Sequence, residues 1–243
     1  MKKTILFIVP VFTLAIHLLA RDAVFDAPHA VAGEFKLDGR LDDSIWKKAP
    51  VYEMTMPENL IEDEGRTFHE GGQVQFAWNK DYFYTAIRFV DSDVVAEGRE
   101  NGLHHYQLGD LAELFMKPED QTWYWELYAT PLNYKTSFFF PGSGRKLPSC
   151  FKYTCGLKIA AKVDGTVNNW KDIDEGWTAE FRMPAKDLTA QGGSWGPGSK
   201  WCVFIGRYNY NRYLRYLELS SCPKEPKADF HLLESYARLN FKP

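Results

Sequence analysis

The chain has 243 residues, of which 45% are hydrophobic and 16% aromatic, and its formal net charge is −3 at pH 7. This length suits one large domain with a substantial apolar core. Acidic and basic residues are interspersed without a basic run, which excludes nucleic acid as an expected partner and argues against an anionic membrane surface.

The N-terminus has the pattern of a secretory signal peptide. Lys2 and Lys3 form a basic start, residues 5–19 are largely apolar, and a small residue precedes a charged pair. The apolar run is shorter than the about twenty residues that a membrane-spanning helix requires. The sequence therefore predicts a signal peptide over residues 1–20 and a secreted or periplasmic mature chain of residues 21–243, with no membrane partner after cleavage.

Short segments of alternating apolar and polar residues, separated by Gly, Pro, Asn and Asp, dominate the rest of the chain. Strands over 73–78 and 82–90 flank a polar turn at 79–81 and form the clearest hairpin. Eight further segments have the same character: 111–116, 123–129, 135–140, 156–163, 177–183, 201–210, 214–221 and 236–241. This series predicts an all-β fold, a two-sheet antiparallel β-sandwich of the jelly-roll type. Weak signals at 42–49 and 184–188 predict one or two short helical turns.

The mature chain contains four cysteines, and an oxidising compartment permits them to pair. A hairpin that turns near Arg212 would place Cys202 directly opposite Cys222, at the separation that a disulfide requires. Cys150 and Cys155 flank a short loop and pair by default. The predicted disulfides are therefore Cys202–Cys222 and Cys150–Cys155. The spacing does not match a zinc site, because no histidine is interleaved with the cysteines.

Six segments, in chain order, resemble carbohydrate-binding module family 9. They are 37–49 (LDGRLDDSIWKKA), 77–84 (AWNKDYFY), 109–115 (GDLAELF), 124–133 (YWELYATPLN), 176–184 (GWTAEFRMP) and 230–237 (FHLLESYA). Each segment alone has low specificity, but their order over roughly residues 35–241 is characteristic of the family. The resemblance implies a carbohydrate-binding β-sandwich over residues 21–243.

The resemblance also implies a site in which a sugar ring lies between two aromatic rings while polar side chains bind its hydroxyl groups. The matching aromatic positions are Tyr106 and Phe230. Strict spacing would place Gln107, and not Tyr106, at the first of them. Glu113 matches the ligand carboxylate of the family. The supporting candidates are Glu126, Arg207 and His231.

Two roles are open for Glu113, which lies between apolar neighbours on a predicted strand. It either accepts hydrogen bonds from a sugar and is oriented by Arg207, or it forms a buried ion pair with Arg207.

The expected function requires no cofactor, but the resembling family binds calcium structurally. Oxygen ligands for such an ion would come from Asp38, Asp42, Asp43 and Asp91, although their spacing is not that of an EF-hand.

The predicted function is non-catalytic carbohydrate binding in polysaccharide utilisation, with a mono- or oligosaccharide as ligand and a polysaccharide-degrading enzyme as partner. A glycoside hydrolase is an alternative, because Glu113 and Glu126 on adjacent strands would supply the two carboxyl groups that such an enzyme needs. A haem-binding sandwich is a further alternative, with axial ligands drawn from Met54, Met56, His104 and His105. The last alternative is a purely structural module of the cell surface that binds no small ligand.

Overall fold

The structure is a computed structural model that describes residues 23–142, 150 and 154–243. The predicted signal peptide, residues 1–20, lies outside the described residues. Within the described part of the chain, no helix is both long enough and apolar enough to span a bilayer.

The described residues form twelve strands and three short α-helices. The strands are β1 (Val24–Ala27), β2 (Tyr52–Glu53), β3 (Gly72–Trp78), β4 (Tyr82–Val90), β5 (Leu111–Pro118), β6 (Tyr124–Ala129), β7 (Lys135–Phe140), β8 (Lys158–Asp164), β9 (Gly176–Pro184), β10 (Trp201–Asn209), β11 (Glu218–Cys222) and β12 (Ala237–Phe241). The helices are α1 (Ser44–Lys48), α2 (Glu58–Glu62) and α3 (Ala185–Leu188), and 3-10 turns occur at His105–Gln107 and Leu233–Ser235.

The strands build two sheets. The larger sheet has the order β1-β12-β10-β5-β6-β7, with β11 pairing with the second half of β10, and the smaller has the order β2-β3-β4-β9-β8. The strand pairs are antiparallel apart from β1 with β12. Apolar side chains of both sheets meet in one core, so the predicted all-β sandwich is confirmed.

The larger sheet is apolar on both faces. On β10, Val203 and Ile205 point into the core between the sheets, whereas Phe204 points outward, as the period of two along a strand requires. Phe204 belongs to a second apolar cluster on the outer face, which also includes Phe230 and Tyr236. These two residues lie in residues 223–236, which we call the covering segment. The outer face is therefore packed against protein and is not simply a solvated surface.

The predicted register between the strands that carry Cys202 and Cys222 is wrong. Cys222 lies opposite Ile205, and β11 begins only at Glu218, because residues 210–217 form a loop and not a continuous hairpin. Polar contacts hold this loop: Arg212 donates hydrogen bonds to the buried carboxylate of Asp93.

Neither predicted disulfide is present, and all four cysteines are described as thiols. Cys202 packs in the outer cluster and Cys222 in the core between the sheets, so the larger sheet separates their side chains. Cys150 packs in the outer cluster and Cys155 against the core between the sheets. Each predicted pair is thus divided between the two apolar layers.

Arg207 links the two sheets. Its side chain is fully buried on the inner face of β10 and donates hydrogen bonds to the Asp91 carboxylate (3.1 Å) and to the backbone carbonyls of Glu70 and Val90 (2.8 Å each). The guanidinium group also lies 4.5 Å from the centroid of the Phe89 ring. Because these acceptors lie on β4 or beside β3 and β4, the side chain ties the larger sheet to the smaller.

Replacing Arg207 with Met should lower the free energy of unfolding by about 3–5 kcal/mol, because the buried Asp91 carboxylate and two carbonyl groups lose their donor. Urea denaturation followed by tryptophan fluorescence measures this loss. The matched control is Arg88→Met, at an exposed position on β4, which should change the free energy of unfolding by less than about 0.5 kcal/mol. Similar losses in the two variants would contradict the linking role.

Candidate functional site

A cavity of about 300 Å³ opens on the outer face of the larger sheet. Strands β5, β6 and β10 supply its floor, and the covering segment supplies a wall. The residues that line it are Tyr106, Glu113, Glu126, Tyr128, Tyr208, Leu219, Ala228, Asp229, Phe230 and His231. The volume and the aromatic lining with a few polar groups are typical of a site for a small ligand.

Five of the six side chains predicted for the site line this one cavity: Tyr106, Glu113, Glu126, Phe230 and His231. They come from a 3-10 turn, two strands and the covering segment, which are far apart in the sequence. The cavity lies on the outside of one sheet and not at the rim between the two.

Arg207 is the exception, and its assignment to the site is wrong. In the ladder between β5 and β10, Glu113 lies opposite Gly206, and Arg207 lies opposite Ala112. Neighbouring residues on a strand face opposite sides of the sheet. Arg207 therefore points into the core, where it pairs with Asp91. It neither orients Glu113 nor forms an ion pair with it.

Glu113 and Glu126 meet on the cavity floor through the register of β5 and β6. Glu113 lies directly opposite Tyr128, and Glu126 is two residues from Tyr128 on the same face. The Tyr128 hydroxyl donates a hydrogen bond to Oε1 of Glu126 and also interacts with the Glu113 carboxyl group. Each glutamate is only 2% exposed. The other oxygen of Glu126, Oε2, has no hydrogen-bond partner among the described residues.

The low polarity of this floor shifts the protonation of both glutamates. Burial raises the pKa of Glu126 to about 8. Burial, together with the nearby charge of Glu126, raises the pKa of Glu113 well above its usual value. Burial likewise raises the pKa of Tyr128, which remains a hydrogen-bond donor. Glu126 consequently retains its proton near neutral pH.

Phe230 reaches the cavity because the strand beneath it carries a glycine. A Cβ atom on Gly206 would lie 2.5 Å from Cδ2 of the Phe230 ring, so any other residue there would push the ring away. The backbone carbonyl of Phe230 accepts a hydrogen bond from the buried Tyr236 hydroxyl at 2.7 Å. The ring also packs edge-on against Tyr208, with centroids 5.4 Å apart. Three contacts thus fix the position of the Phe230 ring: its close approach to Gly206, the hydrogen bond from Tyr236 and the packing against Tyr208.

Tyr106, and not Gln107, supplies the ring before β5. The Tyr106 ring centroid lies 5.9 Å from that of Tyr208, while Gln107 is exposed and does not line the cavity. The Tyr210 hydroxyl donates a hydrogen bond to the Tyr106 carbonyl at 2.7 Å and anchors the 3-10 turn to the end of β10. The rings of Tyr106, Tyr208 and Phe230 therefore form a continuous arc.

His231 lies at the cavity mouth with its side chain 47% exposed. Its Nδ1 is 2.8 Å from the Tyr124 hydroxyl, and its Nε2 is 3.9 Å from Oε2 of Glu126. The second distance is too long for a hydrogen bond. Asp229, next to it, is exposed at the same mouth.

Sequence reasoning missed five lining residues: Tyr128, Tyr208, Leu219, Ala228 and Asp229. The period of two offered a signal for Tyr128, since it shares a strand face with Glu126. Predicting Tyr208 and Leu219 would have required the register of β10 with β5 and β11. The predicted hairpin had the wrong register for β11.

The four aspartates considered for calcium are occupied in other ways or dispersed. Asp91 pairs with Arg207 in the core, Asp38 pairs with Lys36 at 2.8 Å, and Asp43 accepts a hydrogen bond from the backbone N–H of Lys36. Asp42 is exposed. The described residues contain no group of three or more His, Cys, Asp or Glu side chains placed to hold a metal ion.

The residues considered for haem do not converge either. Met54 lies in the core between the sheets, and Met56 lines a separate cavity. His104 and His105 lie at the turn beside Tyr106. The cavity that Met56 lines includes neither His104 nor His105, and the cavity beside Tyr106 includes none of the four.

Comparison with solved structures identifies the architecture. The chain superposes on a Bacteroides uniformis protein provisionally described as carbohydrate-binding, with a TM-score of 0.68 and 11% identity over 90% of this chain and 99% of that one. It also superposes on a family 9 carbohydrate-binding module from Caldicellulosiruptor kristjanssonii, in complex with cellotriose (TM-score 0.61, 12% identity, 90% and 93% covered) and with glucose (TM-score 0.60, 11% identity, 90% and 95% covered).

No protein-family model matches the sequence, and no curated protein matches it either. By its fold the chain is a two-sheet sandwich similar to that of these solved structures. Within that class the chain has a family 9-like fold, which confirms at the level of architecture the resemblance seen in the sequence.

The Glu126→Gln variant should remove a pH-dependent loss of stability. Because the pKa of Glu126 is about 8 in the folded protein and near 4.5 when unfolded, its contribution to stability is complete below about pH 4.5. That contribution is lost as the pH rises through about 8. At pH 9 the variant should exceed the wild type in free energy of unfolding by on the order of 3 kcal/mol, with little difference at pH 5. Urea denaturation at both pH values, with exposed Glu62→Gln as control, measures this. A constant difference between the two pH values would contradict the shifted pKa.

Proposed function

We propose that this chain is a non-catalytic carbohydrate-binding protein. The observation that carries the proposal is the meeting of an aromatic arc, Tyr106, Tyr208 and Phe230, with the carboxyl groups of Glu113 and Glu126 in one small cavity. Pyranose rings have apolar C–H faces that pack on aromatic rings, and hydroxyl groups that need buried acceptors. The cavity offers both on adjacent surfaces.

The buried atom that best fits a hydroxyl group is Oε2 of Glu126, which donates a hydrogen bond while the carboxyl group is protonated and accepts one when it is ionised. It lines the cavity, it is buried, and it has no partner among the described residues. A bound hydroxyl group would supply the missing hydrogen bond. Such a contact strengthens binding because the alternative is a buried polar atom without a hydrogen bond.

The structural neighbours support the same function. Two of the superposed structures are complexes of one family 9 module, with cellotriose and with glucose. The cavity volume of about 300 Å³ would accommodate one sugar ring, with further units extending past the mouth at Asp229 and His231. We propose a mono- or oligosaccharide as the ligand on these grounds.

Glycoside hydrolysis is the second candidate, because Glu113 and Glu126 do lie together on the cavity floor. A hydrolase needs its two carboxyl groups on either side of the scissile bond. Here the Tyr128 hydroxyl interacts with both groups, and each glutamate is 2% exposed. Binding therefore fits the geometry better than cleavage. Release of nitrophenol from chromogenic glycosides, lost in Glu126→Gln, would instead favour the enzyme.

Isothermal calorimetry and a glycan array should detect an oligosaccharide ligand for the wild-type protein. Phe230→Ala and Tyr208→Ala should each weaken binding at least tenfold, because each removes part of the aromatic wall. Tyr216→Ala, at an exposed tyrosine outside this cavity, is the matched control and should bind normally. Circular dichroism checks that every variant is folded. Unchanged binding by both folded cavity variants would refute the site.

We also propose that the protein is exported and acts in polysaccharide utilisation beside a separate degrading enzyme. The support for export is the basic and apolar pattern of residues 1–20. Expression in a bacterial host should yield a mature protein that begins at or near residue 21 in the periplasm or the medium. Intact mass and N-terminal sequencing measure this, and a cytoplasmic product that retains Met1 would contradict it.

A further inference from the structure

The carbohydrate site has an unbalanced charge. Glu113 and Glu126 form its floor and Asp229 lies at its mouth, whereas neither Lys nor Arg occurs among the described residues that line it. The arginine that the sequence offered as a counterion lies on the other face of the sheet. Among the described lining side chains, His231 is the one that can become cationic. Its Nε2 is 3.9 Å from Oε2 of Glu126, which is beyond hydrogen-bonding distance.

Two ionised carboxyl groups buried without a counterion destabilise the folded protein unless a bound ligand supplies the opposite charge. When one member of a buried charge pair is missing, the remaining charge destabilises the protein by several kcal/mol or takes up a proton. Oε2 of Glu126 is the atom that most needs a ligand contact. It is buried, Glu126 lines the cavity, and the atom has no hydrogen-bond partner among the described residues.

An ammonium group satisfies this floor more completely than a hydroxyl group does. A hydroxyl group has one proton to donate and no charge, so Glu126 beside it stays protonated. An ammonium group has three donors and a positive charge, so it can bind Oε2 of Glu126 and Glu113 together in charge-assisted hydrogen bonds.

The walls of the cavity favour a cation for an independent reason. Tyr208 and Phe230 meet edge-on beside the floor, and Tyr106 continues the arc. Aromatic faces attract a desolvated cation placed within about 6 Å of the ring centroid. Carboxyl groups and aromatic rings are the two kinds of group that bind amines. Here the carboxyl groups form the floor of the cavity and the aromatic rings form its wall.

We infer that the sugar bound at this site carries a free amino group, so that its ligand class is an amino sugar and not a neutral or N-acetylated one. This inference rests on the proposed carbohydrate binding and narrows it. The ammonium group is held by Glu113 and Glu126, and the ring that bears it packs against the aromatic arc. An N-acetyl group brings no charge and adds bulk at the floor.

Binding of an ammonium group should expel protons from the floor. Burial holds the pKa of both glutamates high, and a cation bound between them would stabilise their ionised forms. The other titratable groups that face the pair are Tyr124 and Tyr128 on β6, Tyr208 on β10, and Asp229, His231 and Tyr236 on the covering segment. The tyrosines remain protonated near neutral pH because burial raises their pKa values further.

The test compares gluco-, galacto- and manno-configured oligosaccharides in matched free-amine, N-acetylated and hydroxyl forms, by calorimetry at pH 7. The tightest ligand should have a free amine and bind at least tenfold more tightly than its hydroxyl counterpart. Repeating the titration in two buffers of different ionisation enthalpy should show proton release for the amine and none for the neutral sugar. This second measurement uses the wild-type protein alone.

Glu126→Gln should abolish the preference for the amine and the proton release while the variant still binds the hydroxyl form. Glu62→Gln, at an exposed position on α2, should retain both properties. Thermal unfolding confirms that each variant is folded.

The outcomes separate the two proposals. If the tightest ligand is a hydroxyl or N-acetylated form, the inference is overturned and carbohydrate binding stands. If no sugar of any form binds, both are overturned. Binding of benzylamine at least as tight as that of the best amino sugar would overturn carbohydrate recognition, because it would show that the cavity selects an amine without a sugar ring.

Discussion

The alternation of side chains across the larger sheet is the constraint on which the rest of the structure depends. Along β10, Ile205 and Arg207 enter the core between the sheets, whereas Gly206 faces outward. One face therefore holds the cross-sheet ion pair and the other holds the cavity. A shift of register by one residue would exchange them, placing Arg207 beside Glu113 and leaving Asp91 unpaired in the core.

The two faces solve opposite electrostatic problems. On the inner face, a guanidinium group meets a carboxylate and several carbonyl groups, so burial of the charge is compensated. On the outer face, Glu113 and Glu126 share one tyrosine hydroxyl and no described cation. The first arrangement stabilises the sandwich. The second is offset in part by protonation, because burial raises the pKa of both glutamates.

The covering segment turns an apolar sheet face into a cavity. Phe230 fits over the sheet only because Gly206 has no side chain, and the Tyr236 hydroxyl donates a hydrogen bond to the backbone carbonyl of Phe230. This close approach provides an aromatic wall beside the acidic floor without a long insertion. The rings of Tyr106 and Tyr208, which extend the wall, come from the turn before β5 and from β10 itself.

The sequence by itself determined the all-β class and most of the strands, and it predicted five of the residues that line the cavity, because alternating patterns and short motifs are local properties. It could not determine register. Because residues 210–217 form a loop, Cys222 lies opposite Ile205 and not opposite Cys202, so the predicted disulfide does not form. The register of β10 with β5 places Arg207 on the inner face of the sheet. Only the tertiary structure decided which side of a sheet each charge occupies, because that depends on hydrogen-bonded partners distant in sequence.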